Sequence, residues 1–222
     1  MKFPIIIVTV LISLNFLSCD VADLLNEPSD GKITAKEKLG EVMDKARSDF
    51  SQDAQLASIY GREVNTDGEI DLLNTTSFNV FIYVMQSDSL QSNEFYVPVF
   101  KAGPVRSPVN FETMLSLIKN STAKNVMETV FSTLATVSID PSASYSDSPE
   151  VLNILLPRAD VTAFRNINPT SMIDMFLVPG KSIDSTNVIN SADWIVNFYS
   201  DTSSIVLWIN STSGAVKNLS EL

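Results

Sequence analysis

Apolar positions change their spacing several times along this chain, and the changes mark its elements. Ile5 to Leu17 is a nearly unbroken apolar run, diluted only by Thr9, Ser13 and Asn15. Residues 20–33 are polar and turn-rich, the composition of a flexible tether. Thr34 with Glu37 three residues on has the form of a capping box, and Leu39, Val42, Met43, Ala46 and Phe50 follow at helical spacing. Leu56–Val64 then reads as a strand closed by the turn Asn65-Thr66-Asp67-Gly68. Phe78–Met85 and Phe95–Phe100 read as a hairpin whose near-continuous apolarity predicts that both faces are covered. Pro98 predicts an edge position or a bulge in the second of these.

The Pro/Gly-containing stretch 101–108 is the candidate domain boundary. Beyond it, Phe111, Met114, Leu115 and Ile118, and then Ala123, Val126, Met127, Val130 and Leu134, predict a helix broken near Asn120. Ser148-Pro149-Glu150 predicts a helix start, with Pro157 interrupting the helix-like segment Val151–Phe164. Met172–Val178, Trp194–Tyr199 and Ile205–Ile209 read as strands, the last running through Ser211 to Gly214 into Ala215-Val216. Each half therefore reads as helix followed by about three antiparallel strands. Ser77–Tyr83 can be laid without gaps over Asp193–Tyr199. The expected fold is α+β, with antiparallel sheets packed on helices and a duplicated helix-plus-three-strand unit. The corresponding segments are 1–19 (signal peptide), 20–33 (tether), 34–104 (first unit) and 105–222 (second unit).

The stretch from about Ala192 to Asn218 starts a strand near Trp194, turns, and closes in Ser-Thr-Ser-Gly-Ala-Val. This resembles the end of PepSY-like domains. The resemblance covers under a fifth of the chain. It implies a small antiparallel sheet on a helix, of PepSY/cystatin-like type, in a family associated with extracytoplasmic binding and protease inhibition.

Lys2 followed by the Ile5–Leu17 run has the length of a signal-peptide core, short of the ~20 apolar residues that a membrane-spanning helix needs. It ends in Phe16-Leu17-Ser18-Cys19-Asp20. That ending resembles the lipobox of bacterial lipoproteins, with Ser18 and Cys19 in the matching places and the leucine one position closer to the cysteine than usual. The resemblance implies cleavage before Cys19 and attachment of a diacylglycerol and a palmitate-type chain there. Cys19 is also the single cysteine, so no internal disulfide is possible, and acylation would remove an exposed thiol from an oxidising compartment. Several acyl chains anchor far more firmly than one. Asp20 resembles an inner-membrane retention signal in enterobacteria, while other bacteria sort by different rules, so inner and outer membrane both stay open.

With 15 Lys plus Arg against 26 Asp plus Glu, the chain carries a net charge of −11. Losing residues 1–19 removes only Lys2 among these and leaves the product one unit more negative. An acidic chain without a basic cluster is a poor partner for nucleic acid and for polybasic binding to anionic lipid. The 45% hydrophobic content belongs to a folded chain.

The absence of histidine removes Ser-His-Asp triads and histidine zinc sites. Ser116-Leu117-Ile118-Lys119 and Ser121-Thr122-Ala123-Lys124 both match S-x-x-K, but no K-T-G follows, and solvated lysines explain them. Gly180-Lys181-Ser182 ends like a P-loop, with Met175 where the first glycine belongs. Asn65, Asp67, Glu69 and Asp71 alternate like a calcium loop, but the glycine stands at 68, and a turn accounts for all four. No catalytic residue, metal site or cofactor is expected. The aromatic residues of the strands remain: Trp208, Tyr199 and Tyr83 are the candidate ligand-binding residues, and Trp208, alternating away from Ile205, Leu207 and Ile209, is the leading candidate for exposure. The expectation is an exported, lipid-anchored cell-envelope protein that binds a protein, peptide or glycan. An envelope hydrolase using paired carboxylates, or a structural envelope component, would be the alternatives.

Overall fold

The computed structural model describes residues 31–74, 79–90, 94–101, 103–105, 138–180 and 192–219, together with Glu112, Ser116, Lys124, Asn125 and Glu128, which are helical. Cys19, the apolar leader and most of the 111–134 stripe lie outside the described residues. The elements are β1 (Lys32–Ile33), α1 (Leu39–Asp49), β2 (Gln55–Arg62), β3 (Ile70–Asp71), β4 (Val80–Gln86), β5 (Glu94–Phe100), β6 (Gly103–Pro104), α2 (Ser148–Leu155), α3 (Ala159–Ile167), β7 (Met172–Pro179), β8 (Ala192–Tyr199), β9 (Ser204–Asn210) and β10 (Val216–Asn218). The fold is α+β. One antiparallel sheet of eight strands runs β10-β9-β8-β7-β2-β4-β5-β6, and β1 pairs with β3 apart from it.

The order follows from two antiparallel meanders, β2-β4-β5 and β7-β8-β9, joined through their first strands. Tyr60 of β2 pairs with Phe176 of β7, and their rings stack at 4.6 Å. Tyr60 is flanked by Ile82 on β4, and Phe176 by Ile195 on β8, so Ile82 and Ile195 hold equivalent places. The gapless overlay of Ser77–Tyr83 on Asp193–Tyr199 would instead match Ile82 with Phe198. That is an odd shift, and it exchanges the two faces of a strand, because strand side chains alternate.

One face packs under the helices: Val42 and Ala46 of α1, Val151, Leu152 and Leu155 of α2 and Val161 of α3 meet Phe81, Tyr83, Met85, Met175, Trp194, Val196, Phe198 and Leu207. The other face, with Ala57, Tyr60, Val80, Ile82, Val84, Tyr96, Phe176, Val178, Ile195, Val206 and Leu219, is buried as well. The unbroken apolar text of β4, buried from Val80 to Met85, thus reflects cover on both sides. Pro98 sits one strand in from the edge. The two-residue β6 pairs only with Val99 and Phe100, and Val105 N–H donates to the Pro98 carbonyl at 3.0 Å. The bulge is in β2, between Leu56 and Ser58.

Local chemistry adjusts the expected boundaries. Thr34 N–H reaches Glu37 Oε2 at 3.3 Å, half of a capping box, but α1 begins only at Leu39, and the Thr34 hydroxyl donates to Asp147 Oδ2 at 2.6 Å. Asp147, one residue before the expected cap, caps α2 in a full capping box with Glu150. It also accepts from Lys36 N–H at 3.0 Å, while the Ser148 hydroxyl donates to Gly68 O at 2.6 Å and accepts from Ala35 N–H at 3.0 Å. The start of α2 is thereby fastened to two turns of the first half. Pro157 separates α2 from α3. Ile33, at the end of the expected tether, is almost fully buried.

Candidate functional site

Most strand residues are apolar on both faces, which singles out the few polar side chains inside them. Asp174, Asp193 and Asn197 are each 1% exposed and Arg62 is 8% exposed. In β7, Asp174 alternates with Phe176 and Val178 and therefore shares the face away from the helices. Antiparallel pairing puts Asn197 of β8 directly beside Asp174.

The Asp174 carboxylate is built into the sheet by three donors, from β2, from β8 and from the residue that follows β2. Glu63 N–H donates to Oδ1 at 3.0 Å, the Tyr60 hydroxyl donates to Oδ2 at 3.2 Å, and the Tyr199 hydroxyl donates to Oδ1 at 3.3 Å. Glu63 presents its N–H from a left-handed backbone conformation, φ 52°, the one such non-glycine among the described residues. Its side chain accepts from the Arg62 guanidinium at 3.3 Å. Left-handed backbone at a residue with a side chain carries strain, and here that strain aims a donor at a buried charge.

Burial pushes the Asp174 carboxyl from its ordinary 3.8 up to about 6, against the lowering effects of the Glu63 N–H, the Tyr60 hydroxyl and the Arg62 charge. Burial and the adjacent carboxylate push the Tyr60 and Tyr199 hydroxyls well above their usual range, so both stay protonated as donors. Asn197 lacks such support: neither its amide nitrogen nor its amide oxygen has a hydrogen-bond partner. The cluster can hold and release one proton close to neutral pH. Asp53, Asp140 and Asp160 shift the other way, each lowered chiefly by hydrogen bonds.

Of the three aromatic candidates, the structure brings two to this face. Tyr199 is 3% exposed and binds Asp174. Trp208 is half-buried against the same face, and its Nε1–H donates to Asp193 Oδ2 at 3.0 Å. Tyr83 faces the helices instead, fully buried, with its hydroxyl on the Ala35 carbonyl at 2.9 Å. Its place in the core leaves it no access to the Asp174 face. Asp174 and Asn197 escape sequence reasoning based on motifs. Their signal is a polar residue with apolar neighbours on both sides inside a strand, Ile173-Asp174-Met175 and Val196-Asn197-Phe198.

The calcium-like stretch is a turn. Asn65 Oδ1 accepts from Asp67 N–H and Glu69 N–H, both at 2.9 Å, around Gly68 at φ 81°. Among the described residues no group of three acidic or cysteine side chains could hold a metal, and no helix is long and apolar enough to cross a membrane.

No family model matches the chain, and no curated protein matches it. Among solved structures it is similar to a candidate lipoprotein from Clostridium difficile 630, at 9% identity and a TM-score of 0.43, over 86% of this chain and 97% of that one.

Proposed function

We propose that this chain is an exported lipoprotein, tethered to the cell envelope through Cys19, that acts by binding a protein, peptide or glycan. The observation that carries the tether is the sole cysteine, separated only by Ser18 from an apolar run of signal-peptide length. Three acyl chains on that residue would hold an acidic domain at a membrane surface without help from basic residues.

Binding is favoured over carboxylate hydrolysis by the state of Asp174. Its pKa is raised, yet both its oxygens are engaged and it lies 1% exposed within the sheet. A general acid must come within hydrogen-bond reach of its substrate. We further read β2-β4-β5 and β7-β8-β9 as two copies of one unit, each an antiparallel meander of three strands.

Metabolic labelling with a fatty-acid analogue is expected to tag the wild type and to leave Cys19→Ala unlabelled. Equal labelling of both would end the lipoprotein reading. Recovery of the tethered protein from its own envelope is expected to bring a specific partner with it. Hydrolysis of envelope glycans by the purified chain, lost in Asp174→Asn, would replace binding by catalysis.

A further inference from the structure

We propose that Asn197 and Asp174 share a buried binding site for a water-sized polar molecule, on the sheet face away from the helices. Asn197 is the register partner of Asp174 on β7 and of Val206 on β9. Register partners project from the same face with Cβ atoms about 5 Å apart. An amide sealed from solvent with all its donors and its acceptor unused is strongly disfavoured, and native interiors resolve such groups with ordered water.

A buried water needs two to four polar partners, and the neighbourhood supplies them. The Asn197 amide offers two donor hydrogens and one acceptor oxygen. The Asp174 carboxylate keeps spare acceptor capacity: Oδ2 receives only the Tyr60 hydroxyl, and two of its three bonds exceed 3.1 Å. A bridging water would donate one hydrogen to Asp174 and complete its own shell on the Asn197 amide. Val206 continues the Asp174-Asn197 row and Phe176 and Ile195 form the adjoining one, each 1% exposed. With both polar residues also 1% exposed, the site is closed to anything as large as an organic ligand. This site is independent of the anchor and of the envelope partner.

The full chain, wild type and Asn197→Leu, tests this by crystallography and by carboxyl 13C titration of Asp174. Leucine matches asparagine roughly in size but cannot hold water. Wild-type density is expected to show a peak within hydrogen-bond distance of both the Asn197 amide and the Asp174 carboxylate. Asn197→Leu is expected to lack the peak and to raise the Asp174 midpoint by about one pH unit, because the ionised form loses a donor. An Asn197 amide bonded directly to protein atoms, an empty site, or a midpoint unmoved by the substitution overturns the proposal. Should the leucine variant fail to fold, the wild-type density decides alone.

Discussion

Replacing Asp174 by asparagine isolates the cost of a buried charge. The carboxyl titrates at an ordinary 3.8 when unfolded and at about 6 inside the sheet. Because the folded state binds the proton more tightly, the group's contribution to stability is fully present below pH 3.8. It is lost as pH rises through about 6. A shift of about two units corresponds to about 3 kcal/mol. Wild-type stability should therefore carry a downward component of about that size between pH 3.5 and pH 7.5, superimposed on every other titration in the molecule. Asp174→Asn keeps the shape and an acceptor oxygen but cannot ionise, so its pH profile lacks this component. The test is urea unfolding of both proteins across that range, with the difference between the two free energies plotted against pH. That difference should move by about 3 kcal/mol in favour of the variant on going from acid to neutral, with its midpoint between 4 and 6. A flat difference would mean that the carboxyl is not desolvated as its 1% exposure implies.

Four further outcomes follow from the packing. Asp147→Ala removes the α2 capping box together with the bonds to Thr34 and Lys36, and should cost about 2–4 kcal/mol in urea unfolding, with Asp147→Asn milder. Gly68→Ala should destabilise more than Gly214→Ala in thermal unfolding. Both have positive φ, but a Cβ on Gly68 would lie 2.4 Å from Pro149 N, while Gly214 faces open space. Gly40→Ala, in open space within α1, should stabilise by about 0.5 kcal/mol in the same assay. In acrylamide quenching of tryptophan fluorescence, the accessible component should vanish in Trp208→Phe and persist in Trp194→Phe, because Trp194 is fully buried and Trp208 is not.

The elements of this fold were legible in the sequence because their causes are local. The helical spacing of Leu39, Val42, Met43 and Ala46, the proline between α2 and α3, and the apolar blocks of β4, β7, β8 and β9 each act within a few residues. Where expectation and structure part, the cause is a distant partner. Thr34 is held by Asp147, far along the chain, and α1 starts beyond it at Leu39. Alternation correctly put Trp208 on the face opposite Leu207, but alternation states a side and not what covers it. Tyr83 and Tyr199 looked equivalent in a gapless overlay and lie on opposite faces, since only the pairing of Tyr60 with Phe176 sets the register between the halves.

The Asp174 cluster carries that logic furthest. Its aspartate comes from β7, its tyrosines from β2 and β8, and its backbone donor from the strained residue after β2. No segment of the sequence contains the site, so no spacing rule could display it. What the sequence does display is the anomaly of a charge and an amide flanked on both sides by apolar strand residues. Burying that charge costs about 3 kcal/mol at neutral pH, a large share of a domain's net stability. Leucine at position 174 would remove that cost but would leave the Tyr60 and Tyr199 hydroxyls and the Glu63 N–H buried without their acceptor. The charge and its three donors therefore stand or fall together, as one network spread over β2, β7 and β8.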